Sequence, residues 1–228
     1  MHRGIGRRIF GAALLSCLST KVHGGGPYAV DDAAIGNLGE CQIESWASFA
    51  SNGDFIGLAQ PACVVSLGIP VEITTAFQAS RFAGEWATLT GLQGKFILLP
   101  LGSLAVALVI NTLFDATNGE NVTFVNVPAS IKVRDDFRLN LNGGWQRDSI
   151  DDTNHFTWGG GFEWDFQRQW TVIAEVYGQT GQLNNPRLQA GVRFAPTKAI
   201  DLDIVYGHNI TGENANWITA GLTVRFPN

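Results

Sequence analysis

The chain has 228 residues, 45% of them hydrophobic and only 15% charged, the latter well below the roughly 25% of an average soluble domain. Its 27 glycines follow no period, which excludes collagen, and its apolar, aromatic composition excludes disorder. A formal charge of −5, with no basic cluster after the first dozen residues, argues against a nucleic-acid partner.

Arg3, Arg7 and Arg8 precede a short apolar stretch from Ile9 to Leu18. Positive residues, an apolar core too short to span and then small residues make a secretory leader, assigned to residues 1–29. Pro27-Tyr28-Ala29 is a candidate cleavage site, and Gly24 to Gly26 offers others. Two sharper readings compete. Arg7-Arg8 fits a twin-arginine leader, and Leu14-Leu15-Ser16-Cys17 resembles a lipobox that would make Cys17 an acylated first residue, although Leu15 fits poorly. With the leader gone, Cys41 and Cys63 are the two remaining cysteines. Residues 30–38 form a short segment, and 39–228 the body of the protein.

From residue 39 onward apolar residues recur every second position, the strand period. Ile218, Ala220, Leu222, Val224 and Phe226 alternate with Thr219, Gly221, Thr223 and Arg225. Leu188, Ala190, Val192 and Phe194 alternate with Arg187, Gln189, Gly191 and Arg193 in the same way. The pattern predicts an all-β chain of twelve strands, near 39–50, 54–66, 70–82, 86–99, 103–114, 120–133, 136–147, 154–167, 169–180, 186–195, 200–210 and 215–226. Connections alternate between tight turns, as at Gly68 or Arg134-Asp135, and mostly longer polar loops, as at Asp148–Asn154. That is the layout of a single up-and-down antiparallel transmembrane barrel with both ends in the periplasm. The run from Phe96 to Phe114 carries one alternative, a membrane-spanning helix. Pro100 and Gly102 inside it favour two strands and a turn.

Alternation alone also fits a soluble sandwich or a lipocalin-like barrel. Aromatic placement favours the membrane. Phe137, Phe166, Trp170, Phe194 and Phe226 lie on the apolar face beside the tight turns, and Phe49, Phe55, Trp145 and Phe156 beside the longer loops. Two such belts match the girdles of a membrane barrel. The opposite parity then lines the interior with the acids Glu40, Glu44, Glu72, Glu163, Asp165, Glu175, Asp201 and Asp203, and the bases Lys95, Lys132, Arg138, Arg187, Arg193 and Arg225. Such a lining either selects solutes or forms ion pairs that fill the barrel. Eight strands leave a filled interior and sixteen a channel, and twelve lies between. By parity, a charge introduced at Leu222 or Val192 should destabilise, whereas one at Thr223 or Gln189 should be tolerated.

Cys41 and Cys63 are equidistant from Asn52, which lies in the Ser51-Asn52-Gly53 turn. A hairpin centred there sets them directly opposite, close enough for a disulfide in an oxidising periplasm. The alternative is two free, small apolar residues facing lipid. Catalysis is the rival function class. His155, with Ser149, Asp151, Asp152 and Thr157 nearby, and His208 sit near loop ends, but no spacing among them is diagnostic, so the catalytic set is empty. The scattered histidines suggest no metal, and nothing suggests a cofactor. The glycine runs 143–144 and 159–161 are expected to face each other across a hairpin and permit curvature.

Tyr206-Gly207-His208-Asn209-Ile210-Thr211-Gly212-Glu213, running into Trp217 to Phe226, resembles the end of small bacterial outer-membrane barrels grouped as meta-pathway phenol-degradation proteins. Thr123 to Ala129 and the Gly-Trp strands at 144–160 are similar to the same group. The resemblance covers roughly 40–226 and implies a solute channel in the outer membrane. Phe226 resembles the closing aromatic that the barrel-assembly machinery recognises, although Pro227 and Asn228 follow it. The expected partners are outer-membrane lipid, that machinery and small solutes, with no nucleic acid. The expected function is a narrow passive channel, with a non-conducting structural or surface-interaction barrel as the alternative and a hydrolase as the rival.

Overall fold

The computed structural model describes residues 27–115, 120–149, 152–181, 186–211 and 215–226. Residues 1–26, which hold most of the expected leader and Cys17, together with Asp151, the tips of several longer loops, Pro227 and Asn228, lie outside these. Twelve strands form one closed sheet: β1 (Cys41–Ala50), β2 (Phe55–Ser66), β3 (Pro70–Phe82), β4 (Glu85–Leu101), β5 (Leu104–Asp115), β6 (Glu120–Arg134), β7 (Phe137–Asp148), β8 (Thr153–Gln167), β9 (Trp170–Gln179), β10 (Arg187–Thr197), β11 (Ile200–Asn209) and β12 (Asn216–Phe226). Every strand pairs antiparallel with its sequence neighbours, and β12 closes on β1, so no edge is left open. The run from Phe96 to Phe114 is the end of β4 and the start of β5, with Gly102 in the turn.

The pleat sends alternate side chains outward. Leu92, Ile110, Leu141, Ile204, Ile218 and Leu222 stand exposed on the outer wall, a pattern a soluble fold would bury. The aromatics Phe49, Trp145, Phe156, Phe166, Trp170 and Phe226 are also exposed, and Phe55, Phe137 and Phe194 half-buried. Two pairs of them pack within a belt, Trp170 with Phe194 at 4.5 Å and Phe49 with Phe55 at 5.1 Å between centroids.

The tight turns and the two barrel ends share one rim. Register shifts fall there too, between Ile97 and Leu99, Lys132 and Arg134, Asp165 and Gln167, and Phe194 and Thr197. Bulges at a barrel rim bend the strands where pairing must end. On the other rim β3 and β4 join through Ala83 and Gly84 alone, at φ 49° and 91°. A two-residue turn with both φ positive matches the twist of the flanking strands, and glycine adopts it without strain.

Cys41 and Cys63 form a disulfide with their Cα atoms 4.1 Å apart, directly opposed across β1 and β2. The glycine runs are offset rather than facing: Gly143 opposes Trp158 and Gly144 opposes Thr157, while Gly159 opposes Asn142. Their expected role changes accordingly. Gly159 faces inward and makes room for another segment of the chain.

Candidate functional site: the barrel interior

The interior is packed, and it divides into two halves. Towards the longer loops, Trp46, Ile56, Leu58, Ala76, Phe82, Leu89, Leu113, Val122 and Phe124 from β1–β6 form a buried apolar cluster. Period alone missed this cluster, because β2 to β6 carry apolar residues at both parities. The legible signal was the inward parity of Ile56, Leu58 and Phe124 itself. Towards the tight turns the wall is polar and charged.

Across the polar half runs the segment from Pro27 to Gly36, inside the barrel. Glu175 of β9 accepts the backbone N–H groups of Ala29 at 2.6 Å and Val30 at 3.0 Å. Asn142 of β7 accepts from the Asp31 N–H at 2.9 Å and donates to its carbonyl at 2.7 Å. Ser130 of β6 accepts from the Ala33 N–H at 2.8 Å. Gln189 of β10 donates to the Pro27 carbonyl at 3.2 Å. The strap thus finds, from side chains on several strands, partners for backbone groups that no strand pairs.

Charge holds it as well. The Lys95 ammonium of β4 is buried 2.9 Å from Asp31 and 3.3 Å from Asp32. Burial pushes the Asp31 carboxyl up to about 7, against the pull of Lys95, while Asp32 and Glu72 add to the rise. Burial also raises the neighbouring Asp32 carboxyl, but Lys95 and Arg138 outweigh it and hold that group below the usual carboxylate range. The Arg193 guanidinium lies 5.4 Å from the ring centre of the buried Tyr28. The strap leaves the interior through a turn in which Glu40 accepts from the Asn37 N–H and side-chain amide, which hold its carboxyl below the usual range.

The charged residues expected inside separate into groups around this strap. Glu40, Glu44, Glu72, Lys95, Arg193 and Arg225 line a cavity of about 490 Å³ on one side of it. Lys132, Arg138, Glu163 and Asp165 line another of about 310 Å³ on the other. Both lie towards the tight-turn rim. Glu175 seats the strap. Asp201 pairs with Arg225 at 2.6 Å and Asp203 with Arg193 at 2.9 Å. Arg138 pairs with Glu163 at 2.6 Å. Arg187 lies buried towards the longer loops, as do Asp115 and Asp148.

The polar groups near the longer loops are engaged in holding those loops. His155 Nδ1 donates to the Thr180 carbonyl at 2.7 Å, which leaves Nε2 to accept from Thr153. Ser149 donates to the Asn121 carbonyl, Asp152 pairs with Arg147, and His208 bonds Asn216. Of these contacts only Thr153–His155 sets a hydroxyl against an imidazole, and the other nitrogen of that ring is spent on the Thr180 carbonyl rather than on an acid.

Several solved structures share this fold. The KdgM porin superposes with a TM-score of 0.65 at 9% identity, over 82% of this chain and 99% of that one. The NanC porin does so with 0.61 at 10%, over 80% and 98%. The outer membrane protein Omp33 of Acinetobacter baumannii gives 0.50 at 13%, over 84% and 100%. No curated protein sequence matches the chain. The family profile that does match is not the phenol-degradation group suggested by the strand motifs, and it spans residues 13–226. The chain, a twelve-stranded barrel with the fold of the small porins, therefore belongs to the family described as uncharacterised conserved protein UCP029691.

Proposed function

We propose that the protein is an outer-membrane barrel that passes small solutes passively through a charge-lined interior, which its own N-terminal strap closes in this conformation. One observation carries the reading. Two charged cavities open at the same rim, and the strap between them is held inside by hydrogen bonds and ion pairs rather than by covalent bonds. Release of a segment held in this way opens a polar path along β6–β12. The apolar outer wall supports the membrane setting, as does the likeness to KdgM and NanC. KdgM has been solved with an oligogalacturonate, an acidic sugar chain. Here the lining carries both signs, which favours small polar solutes over strongly anionic ones. The resemblance of its strand motifs to phenol-degradation barrels fits a channel without naming its solute. The same reading makes outer-membrane lipid and, through β12, the barrel-assembly machinery its partners, with no catalytic role.

The apolar cluster on the loop side favours a second reading, a barrel that conducts nothing. Planar-bilayer recording of refolded protein separates the two. The channel predicts rare openings of the wild type and steady current after deletion of residues 27–36. Silence from both proteins would leave only the structural barrel.

A further inference from the structure

We infer that the mature protein keeps Pro27, Tyr28 and Ala29, so that the leader is cut at or before the Gly26–Pro27 bond rather than after Ala29. This rests on the export reading and not on conduction.

A cut after Ala29 would discard three residues that the barrel is shaped to hold. Pro27 fills space above Gly221 of β12, where a Cβ would stand 3.0 Å from the proline ring. Tyr28 is 3% exposed, with Arg193 over its ring. Gln189 spends one amide hydrogen on the Pro27 carbonyl and another on Glu175. Glu175 divides its two oxygens between the N–H groups of Ala29 and Val30. After a cut at Ala29, Gly221 would face an empty hollow and Gln189 would lose a partner in the interior. A Val30 ammonium could still meet Glu175, but it would replace none of the contacts made by Pro27 and Tyr28.

The sequence before Pro27 supplies the chemistry. Gly24 provides a small residue at the cut, and hydrolysis there adds one water across the Gly24–Gly25 amide. The leader leaves with a carboxylate, and the mature chain starts with the α-ammonium of Gly25. Nothing is oxidised or reduced.

Intact-mass measurement and N-terminal sequencing of protein extracted from outer membranes test this. The expected first residue is Gly25, and any processed start at or before Pro27 supports the inference. A start at Tyr28 or later, in protein that has reached the outer membrane, overturns it while leaving the export reading intact. A chain still carrying Met1 and absent from the outer membrane would overturn both. As a second measure, a variant with the leader fused directly to Val30 should have a lower Tm than the wild type. An unchanged Tm would show that residues 27–29 are dispensable to the fold and would overturn the inference.

Discussion

Leu222 and Thr223 are neighbours on β12 and meet opposite surroundings. Leu222 stands on the outer wall and Thr223 is 2% exposed inside. Leu222→Arg, like Val192→Arg, should cost about 2–4 kcal/mol near mid-bilayer, read from equilibrium unfolding in lipid vesicles. The tolerance expected of inward positions does not survive the packing found here. Gln189 accepts from Tyr177 and Trp217 and donates to Glu175 and Pro27. Gln189→Leu strands those partners and should destabilise by roughly 1–3 kcal/mol in the same assay. Alternation named which side each residue faces, but it could not say whether that side held water or protein. The Cys41–Cys63 pairing was legible because it needs only the centre of one hairpin. Thiol labelling of the denatured, unreduced mature protein should find neither cysteine reactive, and loss of the bridge should cost about 3 kcal/mol.

The strap is the element that the sequence concealed. Pro27 to Gly36 has no strand period, and its partners Glu175, Lys95 and Asn142 read as ordinary interior positions until the chain is folded around them. Its Asp31 makes seating dependent on pH. Lys95, Asp32 and Glu72 face this carboxyl, whose pKa is about 7 when seated and near 3.9 when free. Seating therefore takes up a proton between those values. The stabilisation is complete below the free value and is lost as pH rises through about 7. Asp32, held low, stays ionised across that window in either state. Single-channel recordings should show more open time at pH 8 than at pH 5.5, and Asp31→Asn should reduce the difference. Gly159→Val supplies an independent route. A Cβ there would lie 2.8 Å from a Val30 methyl, so the variant should raise open time at every pH.

As a whole the molecule is a closed barrel with an apolar outer wall and an inside packed like that of a soluble protein. Its strand number, closure and alternating connections were all written in the period and in the turn residues, because a closed sheet between two solvents leaves no strand free to break the pattern. The apolar cluster was legible only in the inward parity of Ile56, Leu58 and Phe124, and the period hid the rest, since β2 to β6 satisfy both the outward and the inward demand with the same residue types. Such a barrel should fractionate with outer membranes and should run faster on gels before boiling than after it. Recovery from the periplasm without detergent would contradict the membrane setting.

The bridge also sets an order of events. β1 and β2 are made first, and residues 41 and 63 are only 22 apart in sequence, so oxidation can staple this hairpin while most of the chain is still to come. β1 then waits with its free edge at a fixed register for β12, the last strand made, whose Phe226 must come to rest opposite Cys41. A slip of one residue at that seam would turn every side chain of β12 to the wrong face. The disulfide is thus a template for the final ring closure, and cells unable to oxidise thiols would be expected to lose the protein during assembly rather than afterwards.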